Sequence, residues 1–455
     1  TEDAELLALV GLSQLQQGNT VSGIQGLEHA LKVTPESVAL RGELAKAYIS
    51  SGQTDRAIQE LKTILAEGGE EQQTEILLVI AHLRAGNVDQ AIDTVMEMLA
   101  RNPEDPAVLT LAANVFAASD DKPEARKYFN KALEISPGFV PAILSLAGLE
   151  EQEGNYTEAA TLYKGIAESD PESTAPLLAL ARLAETQGKT QEMIDWLEKA
   201  RERAPREIQP RMILAEYYLR EKQFQKADLL VKEALKIEPQ QLTLLALQSR
   251  VLMADQRYNE ALPLLNELIT RAPDSLYARA LLGETYLKLG ETKDARRQLQ
   301  IVLEKQTYYV PALILMVGVE LQSGQYEQAL EYAEQIQKAR PELYMGYELA
   351  GDAGMASKDY TEAKAAYAKA WELGPSATLA IKLAEAAKRS GNSEEASAAL
   401  LAWLNDHPDD ARPRQFLGTT YQDMGQNDKA IEAYEKVLAL QPDNLVALNN
   451  LAWLY

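Results

Sequence analysis

The chain has 455 residues, of which 46% are apolar, and no run approaches the ~18 uninterrupted apolar residues of a membrane-spanning helix. Its 45 Lys and Arg stand against 68 Asp and Glu, a net charge of -23. That field disfavours nucleic acid or an anionic membrane as the main partner, although acidity also simply keeps a long chain soluble.

Cysteine is absent, so disulfides, thiolate zinc sites and cysteine nucleophiles are ruled out, while the compartment stays open. Phe and Trp are few, at 5 and 4 residues, and the abundant Ala and Leu suit helix packing better than strands. The chain opens on Thr1 with no signal-peptide apolar region behind it. We therefore expect a removed targeting segment or an excised fragment.

From about residue 4 onward two rulers run through the chain. Pro35, Pro103, Pro137, Pro171, Pro205, Pro239, Pro273, Pro341 and Pro375 lie one or two steps of a 34-residue period apart, with Gly69 and Thr307 standing where proline is due. Pro408 comes one residue early and Pro442 resumes the period. In the same phase stand Ala57, Ala91, Ala125, Ala159, Ala227, Ala261, Ala295, Ala329, Ala363, Ala396 and Ala430, with Met193 filling one gap.

Each unit reads as two helices, as residues 154–171 illustrate. Gly154-Asn155 signals a turn, Tyr156 opens the second helix, and Ala159, Leu162, Tyr163 and Ile166 follow at helical spacing. Pro171 stops that helix, and Asp170 or Ser173 is expected to cap the next one. The phased alanine is expected where the two helices cross most closely, since a larger residue would push the backbones apart.

A slower repeat is superimposed at an offset of 170. Glu124-Ala125-Arg126 matches Asp294-Ala295-Arg296, Leu133-Glu134 matches Leu303-Glu304, and Val140-Pro141-Ala142 matches Val310-Pro311-Ala312. It reads either as a duplicated five-repeat module with two equivalent surfaces or as an ancestral duplication without functional meaning. At the far end, Leu451, Trp453 and Leu454 are expected to leave an apolar face without a partner, as if a second helix were missing.

No catalytic constellation emerges. His29, His82 and His407 fall in different repeats, and none has a carboxylate or second histidine at metal-ligand spacing on its helix face. The Asp406-His407-Pro408-Asp409-Asp410 cluster occupies an inter-repeat turn, where capping and solvation explain it. Gly68-Gly69 is followed by Glu70 and Glu71, which would repel a phosphate. There is no G-x-S-x-G motif, and no cofactor or metal site is expected.

The unit resembles the tetratricopeptide repeat. The residues that carry the resemblance are Leu282-Gly283, Tyr286, Gly290 and Ala295, and again Leu417-Gly418, Tyr421, Gly425, Ala430, Tyr434 and Pro442. The resemblance implies an all-α, right-handed solenoid of tandem helix-turn-helix units. It would form a single domain over 1–455, with about thirteen repeats over about 4–444 and a half repeat at 445–455. It further implies that first helices line a concave groove that takes a protein or peptide partner. In that register the groove holds Arg84, Asn114, Arg182, Arg220, Arg250, Tyr277, Glu284 and Lys288, and Arg and Tyr are residue types that anchor interfaces. They read either as such anchors or as ordinary solvated residues.

Specialised members of the family are not matched. Lys46 is followed by Ile80, and Asn114 by Gly148, so the lysine–asparagine pattern that grips chaperone carboxylates is not reproduced; nor is the asparagine ladder of sugar-transferase members. Gly11-Leu12 through Gly18-Asn19, Leu44-Ala45-Lys46-Ala47-Tyr48 with Gly52, and the run from Leu111-Ala112-Ala113 look like the bacterial lipoproteins of exopolysaccharide and PEP-CTERM sorting systems. That resemblance implies a lipid anchor ahead of Thr1 and an envelope scaffold. Two alternatives stay open, a cytoplasmic adaptor and the regulatory or substrate-binding arm of an enzyme continuing past Tyr455. The oligomeric state is left open.

Overall fold

The computed structural model describes residues 4–16, 18–68 and 71–455. Among these the chain forms 27 helices and no strand. They fall into two compact units, Thr1–Ile213 and Leu214–Tyr455.

The first unit runs α1 (Ala4–Gln16), α2 (Thr20–Val33), α3 (Val38–Ser50), α4 (Thr54–Ala66), α5 (Glu71–Arg84), α6 (Val88–Arg101), α7 (Pro106–Ala118), α8 (Lys122–Ile135), α9 (Val140–Gln152), α10 (Tyr156–Ser169), α11 (Ala175–Thr186) and α12 (Thr190–Arg203). The boundary falls inside α13 (Gln209–Arg220). The second unit continues with α14 (Phe224–Ile237), α15 (Leu242–Ala254), α16 (Tyr258–Arg271), α17 (Leu276–Lys288), α18 (Thr292–Lys305), α19 (Val310–Gln322), α20 (Tyr326–Ala339) and α21 (Tyr344–Ser357). It ends with α22 (Tyr360–Leu373), α23 (Ala377–Arg389), α24 (Ser393–Asp406), α25 (Ala411–Asp423), α26 (Asn427–Leu440) and α27 (Leu445–Leu454).

The two kinds of connection have different causes. Within a pair, the chain turns through a residue in the left-handed region. Gly154, at φ 80°, donates its N–H to Glu151 O, and Asn155 donates to Glu150 O. Together these close α9 in a Schellman motif that glycine enters without a Cβ penalty. Between pairs, proline does the work. Asp170, the C-cap of α10, sits at φ -124°, ψ 83°, the extended conformation that a following Pro171 imposes. Gln306 takes the same conformation, φ -141°, ψ 91°, ahead of Thr307, so packing holds this bend where proline is missing. The Gly69 step lies outside the described residues.

The next helix does not start as its sequence suggests. Asp170 accepts from the N–H of Glu172 and stays within the turn, while Thr174 is the N-cap of α11. The Thr174 hydroxyl donates instead to Glu207, 33 residues on, because the neighbouring repeat places a carboxylate beside it.

Every alanine of the phased row is fully buried, and Met193 is nearly so. A Cβ built on Gly354 would lie 3.0 Å from Ala363 N, so the alanine of α22 stands against the backbone of α21. A second row of small residues on the first helices receives the large side chains of the second. Gly283 is overlaid by Leu299, Gly351 by Tyr367 and Gly418 by Tyr434.

Between successive pairs, each unit carries one copy of the same charged clamp. Arg126 of α8 makes two hydrogen bonds to the buried Glu150 of α9, at 2.8 and 3.1 Å. Arg296 of α18 does the same to Glu320 of α19, at 2.8 and 2.7 Å. These pairs are 170 residues apart, the offset of the slower repeat. Arg126, helped by Asn155, holds the Glu150 carboxyl below the usual range against the opposing effect of burial.

At the end of the chain, Leu451 is buried against α26 and Leu454 is half-buried, so the expected bare face reduces to Trp453 with Leu445, Val446 and Leu448.

Candidate functional site

First helices touch first helices of the next pair, α3 against α5, α5 against α7 and α7 against α9, with the same pattern in α17, α19 and α21. Clefts open on these first-helix faces, two in the first unit and one in the second. One of 450 Å³ lies between α3 and α5, with Leu61 and Ile64 of α4 as its floor. Another of 540 Å³ lies between α11 and α13, lined by Leu178, Ala179, Arg182, Met193 and Ile213. The third, of 250 Å³ between α23 and α25, is lined by Glu385, Lys388, Gln415, Phe416 and Thr419. Each is lined by apolar and charged side chains together.

The expected groove residues do not act as one set. Arg84 reaches back 35 residues and donates to the Ile49 carbonyl at 2.9 Å, satisfying the C-terminus of α3. Asn114 and Lys288 are exposed on α7 and α17. Arg220 is exposed near the end of α13. Arg182 makes a two-pronged contact with Glu151, at 2.6 and 3.0 Å. The hydrogen bonds it donates to Glu151 hold the Arg182 guanidinium above its usual value, and burial together with Glu151 pushes the Tyr163 phenol up to about 12. Arg250 stands 3.6 Å from Glu216. Tyr277 is 46% exposed, with burial raising its phenol.

In the register of Arg182 stand Glu216, Arg250 and Glu284, alternating in sign, and then Gly318 and Asp352. Around Asp352 a network closes: Lys382 donates to Asp352 and Glu348, each at 2.7 Å, and the Tyr367 hydroxyl donates to Asp352 at 2.6 Å. Burial opposes the Lys382 charge, but these two carboxylates hold its ammonium above the ordinary lysine value. Arg182 and Arg250 thus meet carboxylates, and Arg84 a backbone carbonyl.

Sequence reasoning missed the apolar walls of the clefts and the carboxylate that holds Arg182. A signal for the latter existed: Glu151 precedes Arg182 by 31 residues, one period less about one helical turn. His82 is buried in α5, whereas His407 is exposed and stacks on Trp403 at 3.7 Å. In the acidic turn beside it, Asp410 caps α25 through the N–H of Arg412 and accepts from the Trp403 indole at 3.0 Å. No group of three or more metal-ligating side chains occurs among the described residues, and no described helix is long and apolar enough to cross a membrane.

Three family models described as tetratricopeptide repeat match the chain. One covers residues 14–74, 116–183, 150–217, 252–307 and 354–418, the second 76–138 and 319–378, and the third 416–444. The chain belongs to the tetratricopeptide-repeat family. Its phased Ala row, its Gly–Tyr overlays and its turn prolines are therefore the packing positions of tetratricopeptide repeats. Among solved structures it is similar to the APC/C hetero-tetramer Cut9–Hcn1, at 16% identity over 100% of this chain and 96% of that chain, with a TM-score of 0.34. It is also similar to a tetratricopeptide-repeat protein from Parabacteroides merdae, at 15% identity over 54% of this chain and 98% of that chain, with a TM-score of 0.42. A search of curated proteins found no match.

Proposed function

We propose that this tetratricopeptide-repeat chain is a non-enzymatic scaffold whose first-helix face binds segments of partner proteins. The observation that carries the reading is the clefts between successive first helices, each lined by apolar and charged groups together, the anatomy of a surface that buries a few side chains of a partner. Exposed Asn114 on the first-helix face of the first unit, and Tyr277 and Lys288 on that of the second, add polar and aromatic contacts.

The absence of cysteine makes a clean test available. A single cysteine at Ala175, on the lip of the α11–α13 cleft, or at Glu168, exposed on the second helix α10, carries a photo-crosslinker at one site only. Crosslinked proteins obtained from Ala175→Cys and not from Glu168→Cys support the reading. Crosslinks confined to Glu168→Cys would place the working surface on the second helices.

We further propose that the scaffold serves the bacterial envelope, assembling partners of polysaccharide export or protein sorting from a lipid-anchored position. The support is the resemblance of the Gly11 to Asn19, Leu44 to Gly52 and Leu111 to Ala113 segments to lipoproteins of those systems. Fractionation of the native host checks it, since recovery of the protein in the cytosol alone contradicts an envelope location.

A further inference from the structure

We infer that the cleft between α3 and α5 is an anchor pocket for an apolar side chain carried on a basic segment of a partner protein. The inference rests on the scaffold reading and narrows it to one place and one chemistry.

Gly42 sits inside α3, between Arg41 and Glu43, where glycine is the poorest helix former short of proline. Packing does not require it. A Cβ built on Gly42 meets nothing within 4 Å, whereas one on Gly351 or Gly418 would collide with the tyrosine above it. The room left by Gly42 opens into the 450 Å³ cleft, whose walls include Val38, Ala39 and Leu77. That volume lies within the roughly 300–1,000 Å³ of ligand pockets, and the apolar lining suits a branched or sulfur-containing aliphatic side chain.

Charge selects what flanks that side chain. Residues 1–100 hold 15 Asp and Glu against 6 Lys and Arg, a net of -9. The cations near the cleft are already engaged: Lys46 at its mouth with Glu43 at 2.8 Å, and Arg41 with Glu60 at 2.8 Å. The surplus is carboxylate, so the surrounding field draws a cationic segment and repels an acidic one.

The test uses the whole chain and fluorescence anisotropy of a labelled synthetic 12-residue peptide with one central leucine flanked by lysines. Two control peptides replace the leucine by serine or the lysines by glutamates. The native chain should bind the leucine–lysine peptide, and each control about tenfold more weakly or worse. Gly42→Leu fills the cleft from within the helix and should weaken binding by about tenfold while keeping the melting temperature equal or higher. Ala39→Leu, from the exposed lip, is a second occluding variant. Absent binding by the native chain, binding unchanged in both variants, or equal binding of the glutamate peptide overturns the inference. None of these outcomes bears on crosslinking from Ala175→Cys, so the scaffold reading stands or falls separately.

Discussion

The ring of Tyr367 occupies the space that a side chain at residue 351 would need. A Cβ there would lie 2.4 Å from the tyrosine Cε1, and the ring is fixed by its hydroxyl bond to Asp352 at 2.6 Å. Gly351→Ala is therefore expected to destabilise by about 1–3 kcal/mol, since the ring cannot retreat without breaking that bond. Gly42→Ala, in open space, is expected to stabilise by about 0.5–1 kcal/mol. Denaturant unfolding of the two variants decides the matter, and equal effects would remove the distinction between a packed and an open glycine.

Glu320 is buried and receives Arg296, so Glu320→Ala leaves a guanidinium, its side chain 28% exposed, with the Ser323 hydroxyl but no carboxylate. The partial exposure lets water soften the loss, and we expect about 2 kcal/mol, below the cost of breaking a fully buried pair. In the first unit Glu150→Ala leaves Arg126 its second carboxylate, Glu153, and instead costs Asn155 its acceptor. Hydrogen exchange should show the damage concentrated in the helices next to each clamp, because repeats couple to nearest neighbours. Uniform loosening along the chain would contradict this.

Thr307→Pro is expected to raise stability by about 0.4–1 kcal/mol. The preceding Gln306 is already extended, as Ser136 is before Pro137, and the turn is closed in both by the same bond, Tyr309 N–H to Gln306 O and Phe139 N–H to Ser136 O, each 3.0 Å. Proline would then remove freedom from the unfolded chain alone. A lowered thermal midpoint would show that the Thr307 backbone differs from that of its counterpart.

Gln256 takes the left-handed turn position at φ 59°, where nine repeats place glycine. Gln256→Gly relieves about 1 kcal/mol of backbone strain and returns part of it as glycine's extra unfolded-state entropy. A net gain of about 0.5 kcal/mol is expected, read from the shift in urea midpoint at constant slope. A loss of stability would mean that the glutamine side chain contributes more than its backbone costs.

His82 is 4% exposed and its Nδ1 has no hydrogen-bond partner. Burial, with the charge of Lys62, holds its pKa below the ordinary value. The unfolded state therefore takes up the proton first, near pH ~6.5. The contribution of neutral His82 is complete above that pH and is lost as pH falls towards the folded value. The drop in unfolding midpoint between pH 7.5 and pH 5 should shrink in His82→Gln; an unchanged drop would assign the acid sensitivity to carboxylates.

The period, the helix pairs, the turn prolines and the crossing alanines were legible in the sequence. Each depends on residues within one repeat, where spacing along the chain translates directly into spacing along a helix. What surrounds a given side chain across repeats was not. Gly42 and Gly351 are both glycines inside first helices, but they stand three residues apart in the repeat: Gly351 lies under the second-helix Tyr367, whereas Gly42 faces the cleft toward the next first helix. Arg182 read as a groove residue, an anchor or a solvated one, yet it is held by Glu151 of the preceding first helix at 2.6 Å. Thr174 displaced the expected caps of α11 because Glu207 arrives from the next repeat. Such contacts join residues about one period apart, and a shift of one or two residues in how neighbouring pairs stack would exchange every partner while leaving the sequence pattern unchanged. Only tertiary packing sets that register, and with it which residues of the first-helix face remain available to a partner.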